Sequence, residues 1–420
     1  MTHRLLDVLA PPRLGRGFRL LLASSWTSNA GDGIALAAGP LLVASKTDHE
    51  FLVALAALLQ WLPPLLFGLW AGAITDRLDR RLIIVVVDSL RVGVLVLLAA
   101  AIALDTASIG LVLVAMFLLG TAEVFADNTT STLLPMLVTK DDLTVGNSRL
   151  MAGFVTINQL VAPPIGAFLF TVGQFVPFVT QAALVVLAVL LIARLRLPPH
   201  KRSPEEERPV WHDIIEGIRW TMHHAAVRTL VLTILIFNVT FGAAWSVLVL
   251  YATRHLGLGS VGFGLITTVQ ALGGLLGTLA YGWLTRRISL GDLMRIGLVI
   301  ETLTHLILAS TSSPWVALPV FFVFGAHAFI WGTTSITVRQ RAVPSELMGR
   351  VGAVNLMGVY GGLVVGAGIG GVIAQRWGVT APFWFAFVGS ALFVVLIWRQ
   401  LSLIAHDDDL SPAVSSSGGG

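Results

Sequence analysis

The sequence contains no cysteine in 420 residues. That excludes disulfides, thiolate metal sites and cysteine nucleophiles, and it leaves the redox compartment open. Charge is nearly as scarce, at 12% of residues. There is no G-x-x-x-x-G-K-[ST] loop, which argues against direct use of ATP, and no H-E-x-x-H zinc motif. No polar domain is appended, so a membrane enzyme or receptor ranks last among the functional classes; no cofactor and no metal are expected. The N-terminal stretch carries His3, Arg4, Arg13, Arg16 and Arg19 but lacks the apolar segment and small-residue cleavage site of a signal peptide. The first helix is expected to stay.

What is abundant is apolar surface. Hydrophobic residues make up 55% of the chain and the mean hydropathy is +0.84. A soluble protein has nowhere to hide so much of it, so the expectation is an all-α polytopic membrane protein embedded in a lipid bilayer. Twelve stretches have helix-spanning length: 18–44, 51–75, 82–104, 109–135, 150–171, 175–194, 228–252, 260–285, 290–311, 315–338, 351–374 and 381–400. A polar segment with four prolines and Glu205 to Glu207 separates two sets of six. The expected organisation is a first bundle over 1–194, a linker over 195–226, a second bundle over 227–400 and a disordered tail over 401–420. Within the linker, Trp211, Ile214, Ile215 and Ile218 form one helical stripe, as in an interfacial amphipathic helix.

The two sets repeat each other. Gln60 to Arg77 and Gln270 to Arg287 are identical at 8 of 18 positions at a constant offset of 210. Asn29 and Gly33 recur as Asn238 and Gly242, and Thr129-Thr130-Ser131 recurs as Thr333-Thr334-Ser335. Polar residues in register are hard to obtain by chance from apolar composition, and parallel halves of this kind mark a transporter.

Basic residues give the orientation. With both termini inside, the cytoplasmic segments hold 22 Lys and Arg and the outer loops hold three. The positive-inside rule then places both ends in the cytoplasm of a multi-pass protein of the cytoplasmic (inner) membrane. The pI of 9.9 comes from those loops and does not point to nucleic acid.

The second span ends in Gly72-Ala73-Ile74-Thr75-Asp76-Arg77-Leu78-Asp79-Arg80-Arg81. A glycine one turn from a helix end admits a close neighbour. Asp76 with Arg77, Arg80 and Arg81 sets opposite charges at the rim, where they can latch one conformation and release in the other. Here the sequence resembles the major facilitator superfamily, whose corresponding loop reads G-x-L-x-D-R-x-G-R-R/K; Asp79 stands where that family has glycine. The stretches RQRAVPSELMGRVGAVN, TLLPMLVTKDDLTVGN and EGIRWTMHHAAVRTLVL are similar to the drug:proton antiporter branch that includes enterobactin and macrolide exporters. Pro163, Pro164 and Gly166 match that branch's helix-5 pattern in part.

The resemblance implies two pseudo-symmetric six-helix bundles around a central cavity. Its expected function is secondary export of amphipathic or hydrophobic small molecules (drug, antibiotic or siderophore type) by proton antiport, acting as a monomer. An importer or facilitator of a metabolite is the second reading. It also implies a cavity lined by Asp32, Gln60, Glu123, Asn158, Gln159, Asn238, Trp245, Gln270, His327, Trp331 and Asn355.

The acids at membrane depth are functional candidates on their own chemistry. Asp32 sits in Asn29-Ala30-Gly31-Asp32-Gly33, where two glycines loosen the helix and expose backbone. Glu123 and Asp127 share one face of the fourth span, which suits proton exchange, and His327 is a further relay candidate. Asp88 with Arg91, and Glu301 with His305, read as structural pairs on helices peripheral in the resembling fold. Span 4 carries no arginine, where many antiporters have one.

Overall fold

The computed structural model describes residues 11–197 and 210–400. The proline-rich centre of the linker and the tail fall outside them. So do the side chains of Asp76 and Trp211, although both lie in described helices.

Twelve long helices account for nearly all of the described chain. In the first half they are α1 (Gly15–Lys46), α2 (Glu50–Arg77), α3 (Arg80–Ala103), α4 (Ile109–Ser131), α5 (Leu143–Gly153, a π-helical stretch Phe154–Val161, then Ala162–Val172) and α6 (Val176–Ala193). The linker helix is Val210–His223. The second half contains α7 (Ala225–Trp245), α8 (Gly259–Leu284), α9 (Leu290–Ser310), α10 (Pro314–Ala342), α11 (Met348–Trp377) and α12 (Ala381–Ile397). Ten helical spans are long and apolar enough to cross a bilayer by length and composition, and α12 is a shorter apolar helix. The polar run around Asp32 makes α1 less apolar than the rest.

Local chemistry sets the boundaries. Proline in the first turn starts α6, α10 and α12, where its missing N–H costs nothing. Asp79 caps α3 by accepting from Leu82 N at 3.0 Å, and Ser289 caps α9 by accepting from Asp292 N at 3.1 Å. Asp79 and Ser289 are again 210 residues apart. The acid that departs from the family's loop pattern therefore has a local job as a helix cap.

Packing repeats with the sequence. In the first half α1 packs on α5 and α6, α4 on α2 and α3, and α3 on α6. Each pairing recurs six helices later: α7 on α11 and α12, α10 on α8 and α9, and α9 on α12. The repeated glycines sit at equivalent crossings. A Cβ on Gly33 would strike the Asn158 carbonyl of α5, and one on Gly242 would strike the Leu363 carbonyl of α11. Small residues let such helices approach until their backbones touch.

The halves meet along α2 with α11 and α5 with α8. These contacts gather at the end far from the linker. Phe51 N donates to Gln375 Oε1 at 3.2 Å, Arg254 pairs with Asp48 at 2.8 Å, and Thr268 donates to the Leu160 carbonyl at 2.7 Å. At the linker end, by contrast, Gly72, Gly282 and Gly352 face open space. The close approach expected at Gly72 is not made in this conformation. Contact between the halves is thus looser around these linker-end positions than at the far end.

The linker helix packs on α11, with Glu216 paired to Arg350 at 2.7 Å. Ile214 is buried, whereas Ile215, Ile218 and Met222 are exposed, so the helix presents an apolar outer face beside the bundle.

Candidate functional site

Two ionisable clusters lie inside the helical bundles, one in each half. In the first half, Asp32 of α1 forms an ion pair and hydrogen bond with Arg91 of α3. Arg91 is only 2% exposed. Asp88, one turn before it, is 4.0 Å from the guanidinium and also buried. Ser28 donates to the second Asp32 oxygen at 3.3 Å. From α4, Glu123 and Asp127 come within electrostatic reach of both Asp32 and Arg91. The guanidinium thus meets two carboxyl groups, Asp32 and Asp88, while on α4 Glu123 is half-buried and Asp127 exposed.

Sequence reasoning found Asp32, Glu123 and Asp127 but kept Arg91 and Asp88 apart as a local pair. The structure joins Asp32 to that pair, through Arg91 of α3. Spacing along one helix cannot reveal a partner on another.

In the second half, Glu301 of α9 lies 3.4 Å from His327 of α10 and 4.0 Å from His305. His305 is fully buried. Glu301 and His327 form part of the wall of a cavity of about 220 Å³, together with Phe237, Phe241 and Asn238 of α7 and Phe324 and Trp331 of α10. Trp245 stacks on Phe241 at 4.4 Å, lies tilted against Phe324 at 4.7 Å, and meets His305 edge-on at 5.9 Å. Of the sequence candidates, Asn238, His327 and Trp331 line this cavity directly, and Trp245 supports it from behind. Glu301 was read as structural and is instead part of the wall.

The remaining candidates stand elsewhere. Asn158 and Gln159 lie on the π-helical stretch of α5; Asn158 donates to the Asn29 carbonyl at 3.3 Å and accepts from Gln159 at 2.8 Å. Asn29 itself bonds back to Ser25. Gln60 and Gln270 occupy matching crossings, where their backbones pack against Gly120 and Gly325. Gln270 Nε2 and, on α11, Asn355 Oδ1 are buried polar atoms with no protein partner. Near the expected latch, Arg80 approaches Met136 Sδ at 2.8 Å, Arg81 donates to the Leu195 carbonyl at 3.5 Å, and Arg77 is exposed.

A family model described as a transmembrane secretion effector, of the major facilitator type, matches residues 8–416. The chain belongs to that family. This secretion-effector chain is 27% identical over 383 residues to the multidrug efflux pump Tap of Mycolicibacterium fortuitum, covering 87% of this chain and 90% of Tap. The family match makes this chain a transporter of the major facilitator superfamily. Among solved structures, a mutant of nucleoside transporter NupG superposes with a TM-score of 0.74 at 12% identity, covering 93% of this chain and 100% of that one. A bacterial homologue of the iron transporter ferroportin in its inward-facing state gives 0.73 at 18% identity, covering 92% and 99%. The outward-facing state of a bacterial ferroportin homologue, with soaked iron, gives 0.59 at 16% identity, covering 92% and 100%. At such identities the likeness is one of fold.

Proposed function

We propose that this transporter is a secondary active exporter of amphipathic or hydrophobic small molecules of the drug type. It works by alternating access and proton antiport as a monomer in the cytoplasmic membrane, with both chain ends in the cytoplasm. The observation that carries the reading is the buried Arg91 that meets Asp32 and Asp88, with Glu123 and Asp127 on the neighbouring α4. Charge inside a membrane protein has to be offset locally. Arg91 offsets one carboxylate, so the others need protons or a cationic ligand, and their number changes as a cleft opens to one side or the other. The relationship to Tap supports efflux, and the basic residues at the linker end support the orientation.

In this cycle Asp32 and Glu123 carry the exchanged proton, with Asp127 and His327 as further relays. Protonating Asp32 removes its hold on Arg91, and the freed guanidinium can then bind Asp88 or Glu123. Such a swap alters which helices are tied together, which is how local protonation couples to a rigid-body change. Gly72, Asp76, Arg77, Arg80 and Arg81 form the rim latch of the opposite conformation.

The test is transport by purified protein in proteoliposomes under an imposed pH gradient. Uphill movement of a lipophilic dye should occur with the gradient and collapse with an uncoupler. Asp32→Asn and Glu123→Gln together should abolish uphill transport while downhill exchange persists. Uncoupler-sensitive uphill transport that survives in the double variant would place the proton elsewhere. Uphill accumulation in the direction opposite to export would instead support the importer reading.

A further inference from the structure

The two clusters occupy equivalent places in the two halves, and their chemistry differs. At the offset of 209 set by Asn29 and Asn238, Asp32 corresponds to Phe241. At the offset of 210 set by the starts of α3 and α9, Arg91 corresponds to Glu301. At the offset of 204 set by Thr129 and Thr333, Glu123 corresponds to His327 and Asp127 to Trp331. The first half thus places acids around an arginine. The second places an acid among aromatic rings and histidines.

We infer that the pocket between α7, α9 and α10 is the seat for the cargo, and that it takes an organic monocation with an aromatic or bulky apolar body. Three observations lead there. The walls are aromatic: Phe237, Phe241, Phe324 and Trp331 bound the cavity of about 220 Å³, room for one or two rings. Such faces attract a cation through their quadrupoles and hold its apolar body by contact. Glu301 supplies the only carboxylate in that wall. Its partners are two histidines at 3.4 and 4.0 Å, neither of which carries the fixed positive charge that Arg91 brings to Asp32. A bound cation would complete this charge.

Third, the pocket retains unused polar atoms. His327 Nδ1 and Trp331 Nε1 are buried without a hydrogen-bond partner. Buried polar groups are normally satisfied, so exceptions in a cavity wall point to something that satisfies them. In the first-half cluster the buried unpartnered atoms, Asp88 Oδ1 and Arg91 Nε, belong to the ion-paired residues themselves, and Arg91 already supplies a fixed positive charge to its acids. Proton and cargo are therefore divided between the halves, one in each of two equivalent gaps. Asp32 and Glu123 carry the first, and Glu301 with the rings carries the second.

This inference rests on the reading of the chain as a small-molecule transporter, and direct binding separates the two. The probe is benzyltrimethylammonium, a permanent monocation with one ring, measured by equilibrium dialysis against purified protein in nanodiscs. Benzenesulfonate, a one-ring permanent anion, serves as comparison. The wild type should bind the cation at least tenfold more tightly than the anion. Glu301→Gln should lose at least tenfold in affinity for the cation, and Glu301→Asp should recover part of it. Phe324→Leu, which leaves every charge in place, should lose several-fold.

A wild type with no preference for the cation overturns the ligand class. A Glu301→Gln protein that is monodisperse and binds as tightly as wild type overturns the seat. So does a larger loss in Asp32→Asn than in Glu301→Gln. Should Glu301→Gln fail to fold, an unaltered affinity in Phe324→Leu overturns it equally. Binding in this pattern without any uphill transport in proteoliposomes would sink the export reading while leaving the seat in place.

Discussion

At the residue scale, Arg91 decides most. It is a buried guanidinium that meets two acids, and it ties α3 to α1 through Asp32. Removing one partner of a buried pair costs about 3–5 kcal/mol, because the other charge is left in a medium that solvates it poorly. Arg91→Ala should therefore lower both the yield and the melting temperature of the purified protein. Arg91→Lys keeps the charge and gives up the planar fork that reaches two carboxyl groups at once. That variant should fold but turn over at least about tenfold more slowly, read by dye efflux from proteoliposomes; a rate equal to wild type would remove Arg91 from the mechanism. The acids of this site were legible in the sequence, since a carboxyl group at membrane depth is conspicuous by itself. Arg91 and Glu301 were read as halves of local pairs with Asp88 and His305, and both pairs are present; their further partners on other helices, Asp32 and His327, were not visible in the spacing. The repeat held a better signal. Both residues fall at one repeat position, 210 apart, and both are ionisable.

At the scale of the element, α1 and α5 form the crossing that positions the first-half site. Gly166 abuts the Ile34 backbone as Gly33 abuts Asn158. A methyl group has no room at either position. Gly166→Ala should cost about 1–3 kcal/mol by forcing the helices apart, seen as a lowered melting temperature. The π-helical stretch Phe154–Val161 is a second device. Such segments carry an extra residue in the turn and are common at functional sites. Deleting Val155 should restore α-helical register and rotate Asn158 by roughly 100° away from α1, one residue's turn of a helix with 3.6 residues per turn. The expected result is folded protein whose transport is lost; full activity after the deletion would show that the bulge has no functional part. Helix bounds were readable from hydropathy. The π stretch was not, because its apolar and amide residues have no pattern that distinguishes three-and-a-half from four-and-a-half residues per turn.

For the whole molecule, the contacts between halves at the far end and the open space around Gly72, Gly282 and Gly352 are what one state of the proposed rocking cycle would have. The absence of native cysteine makes this easy to test, since any introduced pair is the only one present. In Phe51→Cys with Gly371→Cys, a Cβ at position 371 would lie 3.4 Å from the Cα of residue 51, so an oxidant should join them. Transport should stop and resume on reduction. A pair at Gly72 and Gly352 should remain unjoined in this conformation and become joined only when the far end opens. Simultaneous joining of both pairs in one molecule would contradict alternating access. The twofold plan was the most legible part of the protein. It was written in Gln60 and Gln270, Gly33 and Gly242, and the two threonine runs, and each of these falls at a helix crossing where geometry restricts the choice of residue. The closed state of the far end was not legible. The same sequence has to fit both states, and so no residue pattern can specify one alone.

Halves that touch at one end and part at the other, as the proposed cycle requires, would give the protein the outline of a wedge. On the proposed cycle that wedge inverts once per turnover, so the footprint widens in one leaflet as it narrows in the opposite one. Lipids must be pushed aside on the widening side, and the work required rises with how crowded that leaflet is. Lysolipid added only to the leaflet around the far end should therefore hold the molecule in the state described above and slow its turnover. Crowding of the opposite leaflet should do the reverse, leaving the composition of the two leaflets to set the pace of a pump whose binding sites they never touch.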